Sequence, residues 1–240
     1  MQKKAIITGA SRGIGSATAL LFAKNGYEVA INYNKSEKAA RQLADYINSM
    51  GLCATAIKAD VSDRAQAQRM FEIFGQPDVL VNNAGIGKQM LFSDITPEIW
   101  REMFAVNVDG VYNCCQLALP GMINKKSGRI INISSMWGIT GASCEVHYSA
   151  AKAAVIGLTK ALAKELGPSG ITVNCVAPGV IDTDMNAHLS TEDMRALAED
   201  TPLGVIGTAE DIAQTVLFLA SDKAKFITGQ VISPNGGYLI

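Results

Sequence analysis

The sequence predicts a doubly wound α/β fold, in which helices cover both faces of a parallel sheet. Short apolar runs rich in β-branched residues alternate with helical patterns along the whole chain, and this alternation is typical of strands joined by right-handed crossovers. A glycine-rich segment follows the first apolar run and precedes a helical pattern. The chain has 240 residues, 48% hydrophobic and 18% charged, which suits one domain with a full-sized core.

Seven segments have the length and composition of buried strands. In chain order they are Ala5–Thr8, Glu28–Asn32, Cys53–Lys58, Val79–Asn82, Arg129–Ile133, Ile171–Val176 and Gln230–Ser233. Helical patterns separate them. One helix is expected to begin at Thr96 and Pro97, because threonine caps a helix N-terminus and proline fits its first turn. Another begins at about Tyr148 and is expected to end at Gly167 and Pro168.

The composition argues against several classes of function. A net charge of −1 gives no electrostatic reason to expect nucleic acid or an anionic membrane as a partner. No apolar run approaches the roughly 18 residues of a membrane span. The five cysteines include no Cys-x-x-Cys motif, as is typical of reduced thiols in a cytoplasmic protein. The two histidines, His147 and His188, lack a ligand-like spacing, so no metal site is expected.

The segment from Thr8 to Gly15 is a candidate phosphate-binding turn. It lies between a predicted strand and a predicted helix, which is the context that gives a glycine motif its meaning. Glycine lets the backbone approach a pyrophosphate, and a helix N-terminus offers free N–H groups and a partial positive charge. The spacing is Gly-x-x-x-Gly-x-Gly, at Gly9, Gly13 and Gly15, rather than the general dinucleotide-binding pattern.

Tyr148 and Lys152 are the most informative pair in the chain. On a helix, residues four apart share one face, so the phenol and the ammonium would project side by side. A free phenol, with a pKa of about 10, is a poor acid or base at neutral pH. An adjacent cation is expected to lower the pKa of Tyr148 toward the operating pH. Alone, the pair also fits an ordinary amphipathic helix.

Ordered motifs along nearly the whole chain resemble the classical short-chain dehydrogenase/reductases. They are the glycine segment, Asp60-Val61, Asn82-Asn83-Ala84-Gly85, Asn107, Ser135 thirteen positions before Tyr148, Lys152, and Pro178-Gly179 followed by Thr183. The resemblance implies a single-domain doubly wound Rossmann fold over residues 1–240, with a seven-stranded parallel sheet in the order 3-2-1-4-5-6-7. It also implies hydride transfer between a nicotinamide and a carbonyl carbon.

The resemblance assigns catalytic roles to four residues. Tyr148 would give a proton to the developing alkoxide, and Lys152 would lower the pKa of Tyr148 and hold the nicotinamide ribose. Ser135 would hydrogen-bond the carbonyl oxygen, where charge grows in the transition state, with Ser134 as the competing choice. Asn107 would bind a water that links Lys152 to solvent.

The cofactor is expected to be NADPH. Enzymes that use NAD usually carry an acid about 20 residues beyond the glycines, where it binds the adenosine ribose 2′-hydroxyl. Here the second strand runs into Asn32-Tyr33-Asn34-Lys35, with no acid before Glu37. Arg12 and Lys35 could pair with a 2′-phosphate, or both could be ordinary surface charges. The expected cofactor contacts are Gly9, Ser11, Arg12, Gly13, Ile14, Gly15, Asn32, Lys35, Asp60, Val61, Asn83, Ala84, Gly85, Tyr148, Lys152, Pro178, Gly179 and Thr183.

Within this family the chain looks nearest to the 3-oxoacyl-[acyl-carrier-protein] reductases. A narrower resemblance lies in Trp137–Val146, which is similar to bacterial reductases of a 5-aminopentanone group on an elongation factor P lysine. A protein that senses NADP without catalysis is the alternative of another class. The substrate is therefore expected to be a small-molecule or carrier-bound ketone.

An acidic carrier protein would need cations beside the cleft. Lys125, Lys126 and Arg129 are expected to supply them, whereas the turn at residues 167–170 has none. The resemblance also implies a homotetramer and a mobile substrate lid over residues 184–206. The carboxyl-terminal residues carry no charge from Val231 to Ile240, so we expect them to be packed.

Overall fold

The computed structural model describes residues 2–184 and 190–240. The strands are β1 Lys4–Ile7, β2 Glu28–Tyr33, β3 Ala54–Lys58, β4 Val79–Asn82, β5 Gly128–Ile133, β6 Ile171–Val176, β7 Ile181–Asp182, β8 Gly207–Thr208 and β9 Val231–Ile232. The α-helices are α1 Gly13–Lys24, α2 Glu37–Ser49, α3 Arg64–Phe74, α4 Pro97–Phe104, α5 Gly110–Lys125, α6 Trp137–Thr140, α7 Val146–Leu166, α8 Thr191–Glu199 and α9 Ala209–Ala220.

The main sheet has seven parallel strands in the order β3-β2-β1-β4-β5-β6-β9. This order confirms the predicted fold class. The strand interiors are buried, because a parallel sheet in this architecture is covered on both faces. One apolar cluster joins α1, α2 and α9 to one face, and a second joins α3, α5 and α7 to the other.

The strand order creates a crevice in which a ligand can bind. The chain leaves β1 toward β2 on one side and returns to β4 on the other, and ligands bind at such a switch point beyond the carboxyl ends of the strands. The turns after β1, β4, β5 and β6 therefore share one edge of the sheet. They contain the glycine segment and most of the predicted site residues.

Two features were not predicted. A short parallel ladder joins β7 to β8, and one π-helical turn spans Ala105–Asp109 between α4 and α5. In the segment expected to be a lid, residues 185–189 lie outside the described residues. The remainder contains α8, which begins with a reciprocal capping box between Ser190 and Asp193.

In the described part of the chain, no helix is long and apolar enough to cross a membrane. The same residues contain no group of three His, Cys, Asp or Glu side chains suited to a metal ion. All five cysteines are free thiols.

Candidate active site

The glycine turn after β1 is shaped by close backbone contacts. Gly9 has a φ of 61°, and a Cβ on it would lie 2.7 Å from the Cα of Ala84. A Cβ on Gly15 would lie 2.6 Å from the carbonyl oxygen of Gly9. Both distances are shorter than a carbon contact allows, so larger residues would push the turn away from β4. The glycines therefore hold the turn against the switch point.

Side chains from two strands lock this turn in place. The hydroxyl of Thr8 accepts hydrogen bonds from the backbone N–H groups of Asn83 and Ala84, at 2.9 and 3.0 Å. The side-chain amide of Asn83 donates to the carbonyl oxygens of Thr8 and Gly9. Asn83 and Ala84 thus position the turn, and this backbone is what would face a dinucleotide.

The N-terminus of α1 has the donors that a diphosphate needs. Its N-cap residue, Arg12, has extended backbone and makes no side-chain capping bond. The first helical N–H that bonds within the helix is that of Ser16, which donates to the carbonyl oxygen of Arg12. The N–H groups of Gly13, Ile14 and Gly15 precede it and lie at the positive end of the helix dipole. This cradle fits a dinucleotide phosphate, and Ser11 is half-buried directly before it.

Tyr148 and Lys152 lie in the first two turns of α7 and are both buried. The Lys152 Nζ lies 5.6 Å from the centroid of the Tyr148 ring and donates to the carbonyl oxygen of Ile133 at 3.0 Å. The hydroxyl of Ser134 donates to the carbonyl oxygen of Lys152 at 2.8 Å. The carboxyl end of β5 thus holds both ends of Lys152.

The two serines after β5 have different surroundings. Ser134 is occupied by its bond to α7. Ser135 and Tyr148 line the same cavity. The hydroxyl of Ser135 accepts a hydrogen bond from the backbone N–H of Trp137 at 3.2 Å. A hydrogen bond between Ser135 and Tyr148 lowers the pKa of the phenol. This geometry favours Ser135, the choice that the sequence spacing indicated.

The pKa values of the pair differ from the expectation based on sequence. Burial raises the pKa of Tyr148 to about 12, and the bond to Ser135 only partly opposes it. Burial also lowers the pKa of Lys152 to about 8. The expected lowering of the pKa of Tyr148 is therefore not found in this structure, where desolvation is the largest influence on the phenol. Tyr148 is therefore a neutral phenol at physiological pH, which suits a proton donor.

Asn107 sits in the π-helical turn and is fully buried. Its amide nitrogen donates to the carbonyl oxygens of Ile86 and Met103, each at 3.0 Å, while its Oδ1 has no partner in the described residues. A Cβ on Gly85 would lie 2.7 Å from this Oδ1 and 3.3 Å from the Lys152 Nζ. The unpaired acceptor and the buried ammonium therefore border the same space, which fits a bridging water.

Asn32 was expected to contact a 2′-phosphate, but its side chain is engaged within the protein. Its side chain is buried, with Oδ1 accepting the N–H of Gly9 at 3.1 Å and Nδ2 donating to the carbonyl oxygen of Ala59 at 3.0 Å. Both ends of the amide are occupied, so Asn32 does not reach a 2′-phosphate in this arrangement. It holds the glycine turn to β2 and β3 instead. Lys35, three residues after Asn32, is exposed.

The loop after β3 carries the expected adenine-side residues. The Asp60 carboxylate accepts from the Ser62 hydroxyl at 2.6 Å and from the Asn34 amide at 2.8 Å. Val61 is buried and packs against Gly110 at the start of α5. Asp60 thus ties this loop to the one after β2, beside the glycine turn.

The segment after β6 closes the other side of the crevice. Met136 donates its N–H to the carbonyl oxygen of Pro178, and Gly179 lines the cavity. A Cβ on Gly13 would lie 3.5 Å from the Thr183 methyl group. Pro178, Gly179 and Thr183 therefore lie between the glycine turn and Ser135, where a nicotinamide contact is expected.

A cavity of about 750 Å³ opens beside Ser135 and Tyr148. Among the described residues, its charged lining side chains are three acids, Glu145, Asp193 and Asp200, and one base, Lys88. Glu145 accepts a hydrogen bond from the side chain of Gln89 at 3.2 Å, and its charge raises the pKa of Tyr148. Sequence reasoning missed these acids, because charged residues in loops and short helices show no periodicity.

The expected docking cations are not beside this cavity. Lys125, Lys126 and Arg129 lie at or just before the amino-terminal end of β5, whereas Ser135 follows its carboxyl end. The six residues of β5 separate them by roughly 20 Å. Lys125 pairs with Asp78 at 2.9 Å, and Arg129 pairs with Asp222 at 3.4 Å. The expectation that they flank this chain's cleft is therefore wrong.

Comparisons with known proteins agree with this geometry. A family model described as "Enoyl-(Acyl carrier protein) reductase" matches residues 9–239. The chain is 47% identical to the 3-oxoacyl-[acyl-carrier-protein] reductase FabG of Staphylococcus aureus, over 99% of this chain and 98% of that protein. It is 42% identical to the uncharacterized oxidoreductase YmfI of Bacillus subtilis, over 99% of each. A crystal structure of a 3-oxoacyl-[acyl-carrier protein] reductase from Brucella melitensis superimposes with a TM-score of 0.95 at 35% identity, covering 99% of this chain and 92% of that one.

Proposed function

Because the chain belongs to the short-chain dehydrogenase/reductase family, we propose that it reduces a 3-oxoacyl thioester to the 3-hydroxyacyl thioester with NADPH. The observation that carries this proposal is that Ser135 and Tyr148 line one cavity, with the ammonium of Lys152 lying 5.6 Å from the centroid of the phenol ring. Two of the similar proteins are named as 3-oxoacyl-[acyl-carrier-protein] reductases, which supports the substrate.

The residues divide the chemistry between them. The nicotinamide cofactor supplies the hydride when it is bound. Ser135 donates a hydrogen bond to the substrate oxygen, and Tyr148, held neutral by burial, donates the proton to it. Lys152 keeps a positive charge behind the phenol and holds the ribose. Once Tyr148 has given up its proton it is reprotonated through Lys152, and Asn107, whose Oδ1 has no partner among the described residues, holds a water that links Lys152 to solvent.

NADPH is the proposed cofactor because the end of β2 lacks the acid of an NAD enzyme and two cations are exposed nearby in the sequence motifs. Arg12 lies at the N-terminus of α1 with an exposed guanidinium, and Lys35 is exposed after β2. A charge-assisted hydrogen bond contributes roughly 1.5–3 kcal/mol, so losing Arg12 should weaken NADPH binding about tenfold or more and spare NADH. The acid in the loop after β3, Asp60, is already bonded to Ser62 and Asn34.

A second candidate substrate is the 5-aminopentanone group on a lysine of elongation factor P. The acidic lining of the cavity favours it, because a ketone with a terminal ammonium would be attracted by Glu145, Asp193 and Asp200. A neutral acyl chain gains nothing from these carboxylates. The position of Lys125 and Arg129 also removes an argument for carrier docking at the cleft.

A substrate panel followed by NADPH absorbance tests both substrates. The panel contains a short 3-oxoacyl thioester, a peptide carrying the amino ketone, and the same peptide with a neutral methyl in place of the ammonium. A higher kcat/KM on the thioester supports the leading proposal. A preference of tenfold or more for the amino ketone over its neutral partner would replace it with the second candidate.

Tyr148→Phe serves as the catalytic control, because it keeps the ring and removes only the proton donor. Turnover should be lost while NADPH binding, measured by fluorescence, is retained. Residual kcat above a few per cent would contradict the role of Tyr148. A wild type that binds NADPH but reduces no ketone would instead support a protein that senses NADP.

A further inference from the structure

Arg12 has an anionic partner inside the protein. Its guanidinium lies 3.8 Å from the carboxylate of Asp184, and both side chains are about two-thirds exposed. Asp184 follows Thr183, whose methyl group lies beside Gly13 on the far side of the glycine turn. Asp184, in the segment after β7, therefore forms an ion pair with Arg12 at the N-terminus of α1.

The two possible partners of Arg12 lie on different sides of the turn. The β2 side is marked by Asn32, which bonds the N–H of Gly9, and by the exposed Lys35. An adenosine 2′-phosphate that also contacts Lys35 belongs on that side. Asp184 belongs to the opposite side, next to Thr183. A 2′-phosphate bound on the β2 side would therefore compete with Asp184 for the guanidinium.

We propose that Asp184 is a cofactor-specificity residue, which competes with the 2′-phosphate of NADPH for Arg12 and so weakens NADPH binding without affecting NADH. This inference rests on the proposed use of Arg12 for the 2′-phosphate. An exposed ion pair contributes little, at most about a factor of five in an equilibrium constant. The effect is therefore a tuning of the preference and not its source.

The experiment measures the dissociation constants of NADPH and NADH by fluorescence titration in the full-length protein. Asp184→Asn should tighten NADPH two- to fivefold and leave NADH unchanged. The gain should disappear in 0.5 M salt, since exposed ion pairs are screened there. Asp182→Asn is the matched control: it removes an exposed carboxylate two positions away on β7, and it should change neither constant.

A double-mutant cycle separates this inference from the proposed function. In an Arg12→Ala background, Asp184→Asn should have no effect on NADPH. If Arg12→Ala alone leaves NADPH binding unchanged, the assignment of NADPH to Arg12 fails, whatever Asp184 does. If Arg12→Ala weakens NADPH but Asp184→Asn leaves it unchanged, weakens it, or tightens both cofactors equally, competition is refuted and the NADPH assignment survives.

Discussion

Replacing Lys152 with methionine should abolish turnover and at the same time stabilise the fold. Methionine is apolar, flexible and of similar length, so it can fill the space that the lysine side chain leaves. The ammonium of Lys152 is almost completely buried and has one described hydrogen-bond acceptor, the carbonyl oxygen of Ile133. Keeping a charge at this buried position costs folding free energy. The proposed mechanism requires that charge, whereas the stability of the fold does not.

The magnitude follows from the pKa of Lys152. Burial lowers it from 10.5 to about 8, and at about 1.4 kcal/mol per pKa unit this corresponds to about 3 kcal/mol. The substitution also removes the donor to the Ile133 carbonyl oxygen, which costs about 1–3 kcal/mol if that oxygen stays unpaired. We therefore expect Lys152→Met to be up to about 2 kcal/mol more stable than the wild type at pH 7.

The pH dependence gives the sharper test. Below pH 8 the lysine is charged in both the folded and unfolded states, so the wild type bears the full cost of burying the charge. Between pH 8 and 10.5 the unfolded chain binds the proton more tightly, so wild-type stability rises with pH. The advantage of Lys152→Met should therefore be complete below pH 8 and decrease toward pH 10.5.

The assay is urea unfolding of the cofactor-free protein at pH 7.0, 8.5 and 10, with unchanged m-values as the check on compactness. A stability difference between the variant and the wild type that is independent of pH would refute the buried ammonium. So would a variant destabilised by more than about 1 kcal/mol at pH 7, because the bond to Ile133 would then outweigh the cost of burying the charge.

Three further predictions concern the glycine turn, the acidic lining and assembly. Gly9→Ala should abolish NADPH binding and lower the Tm, because the added Cβ would press on Ala84. Gly26→Ala is the control: Gly26 also has a positive φ, 84°, but no atom lies within 4 Å of the added Cβ, so NADPH binding should be retained. Equal binding by the two variants would refute the close approach of Gly9 to Ala84. Glu145→Gln should lower the pKa of Tyr148 and raise the rate of alcohol oxidation at pH 9, and an unchanged pH profile would show that Glu145 does not act on the phenol. Light scattering should give the tetramer that the family resemblance implies, in which exposed apolar side chains such as Phe226 would be covered, and a monomer at micromolar concentration would refute the assembly.

The sequence predicted the seven strands because each is an apolar run, and every predicted boundary lies within one residue of the observed one. It could not predict the orientation of Asn32. In β2 the side chains on both faces are buried, so the alternation that assigns a residue to one face is lost. Asn32 is therefore indistinguishable by sequence from a strand-end residue that reaches a ligand. Its bonds to Gly9 and Ala59 appear only when three strands are in register.

The π-helical turn and the β7–β8 ladder escaped prediction for a different reason. A π-turn inserts one residue into a helix without changing its composition, and two-residue strands have no period to detect. The π-turn determines the environment of Asn107, since it directs the amide into the space beside Gly85 and Lys152. The sequence motif therefore identified Asn107 as a candidate, whereas only the folded structure shows that its Oδ1 has no partner among the described residues.

The direction of proton transfer follows from how burial acts on the two members of the pair. Burial opposes charge on both, which raises the pKa of Tyr148 to about 12 and lowers that of Lys152 to about 8. At pH 7 the site therefore contains a neutral phenol in front of an ammonium that is still charged. An oxygen that gains negative charge next to Ser135 would meet two hydroxyl donors supported by one cation. The same site would have to form a buried phenolate before it could accept a proton from an alcohol. At pH 7 the site is thus in the charge state that proton donation needs, and Glu145 contributes because its negative charge disfavours the phenolate.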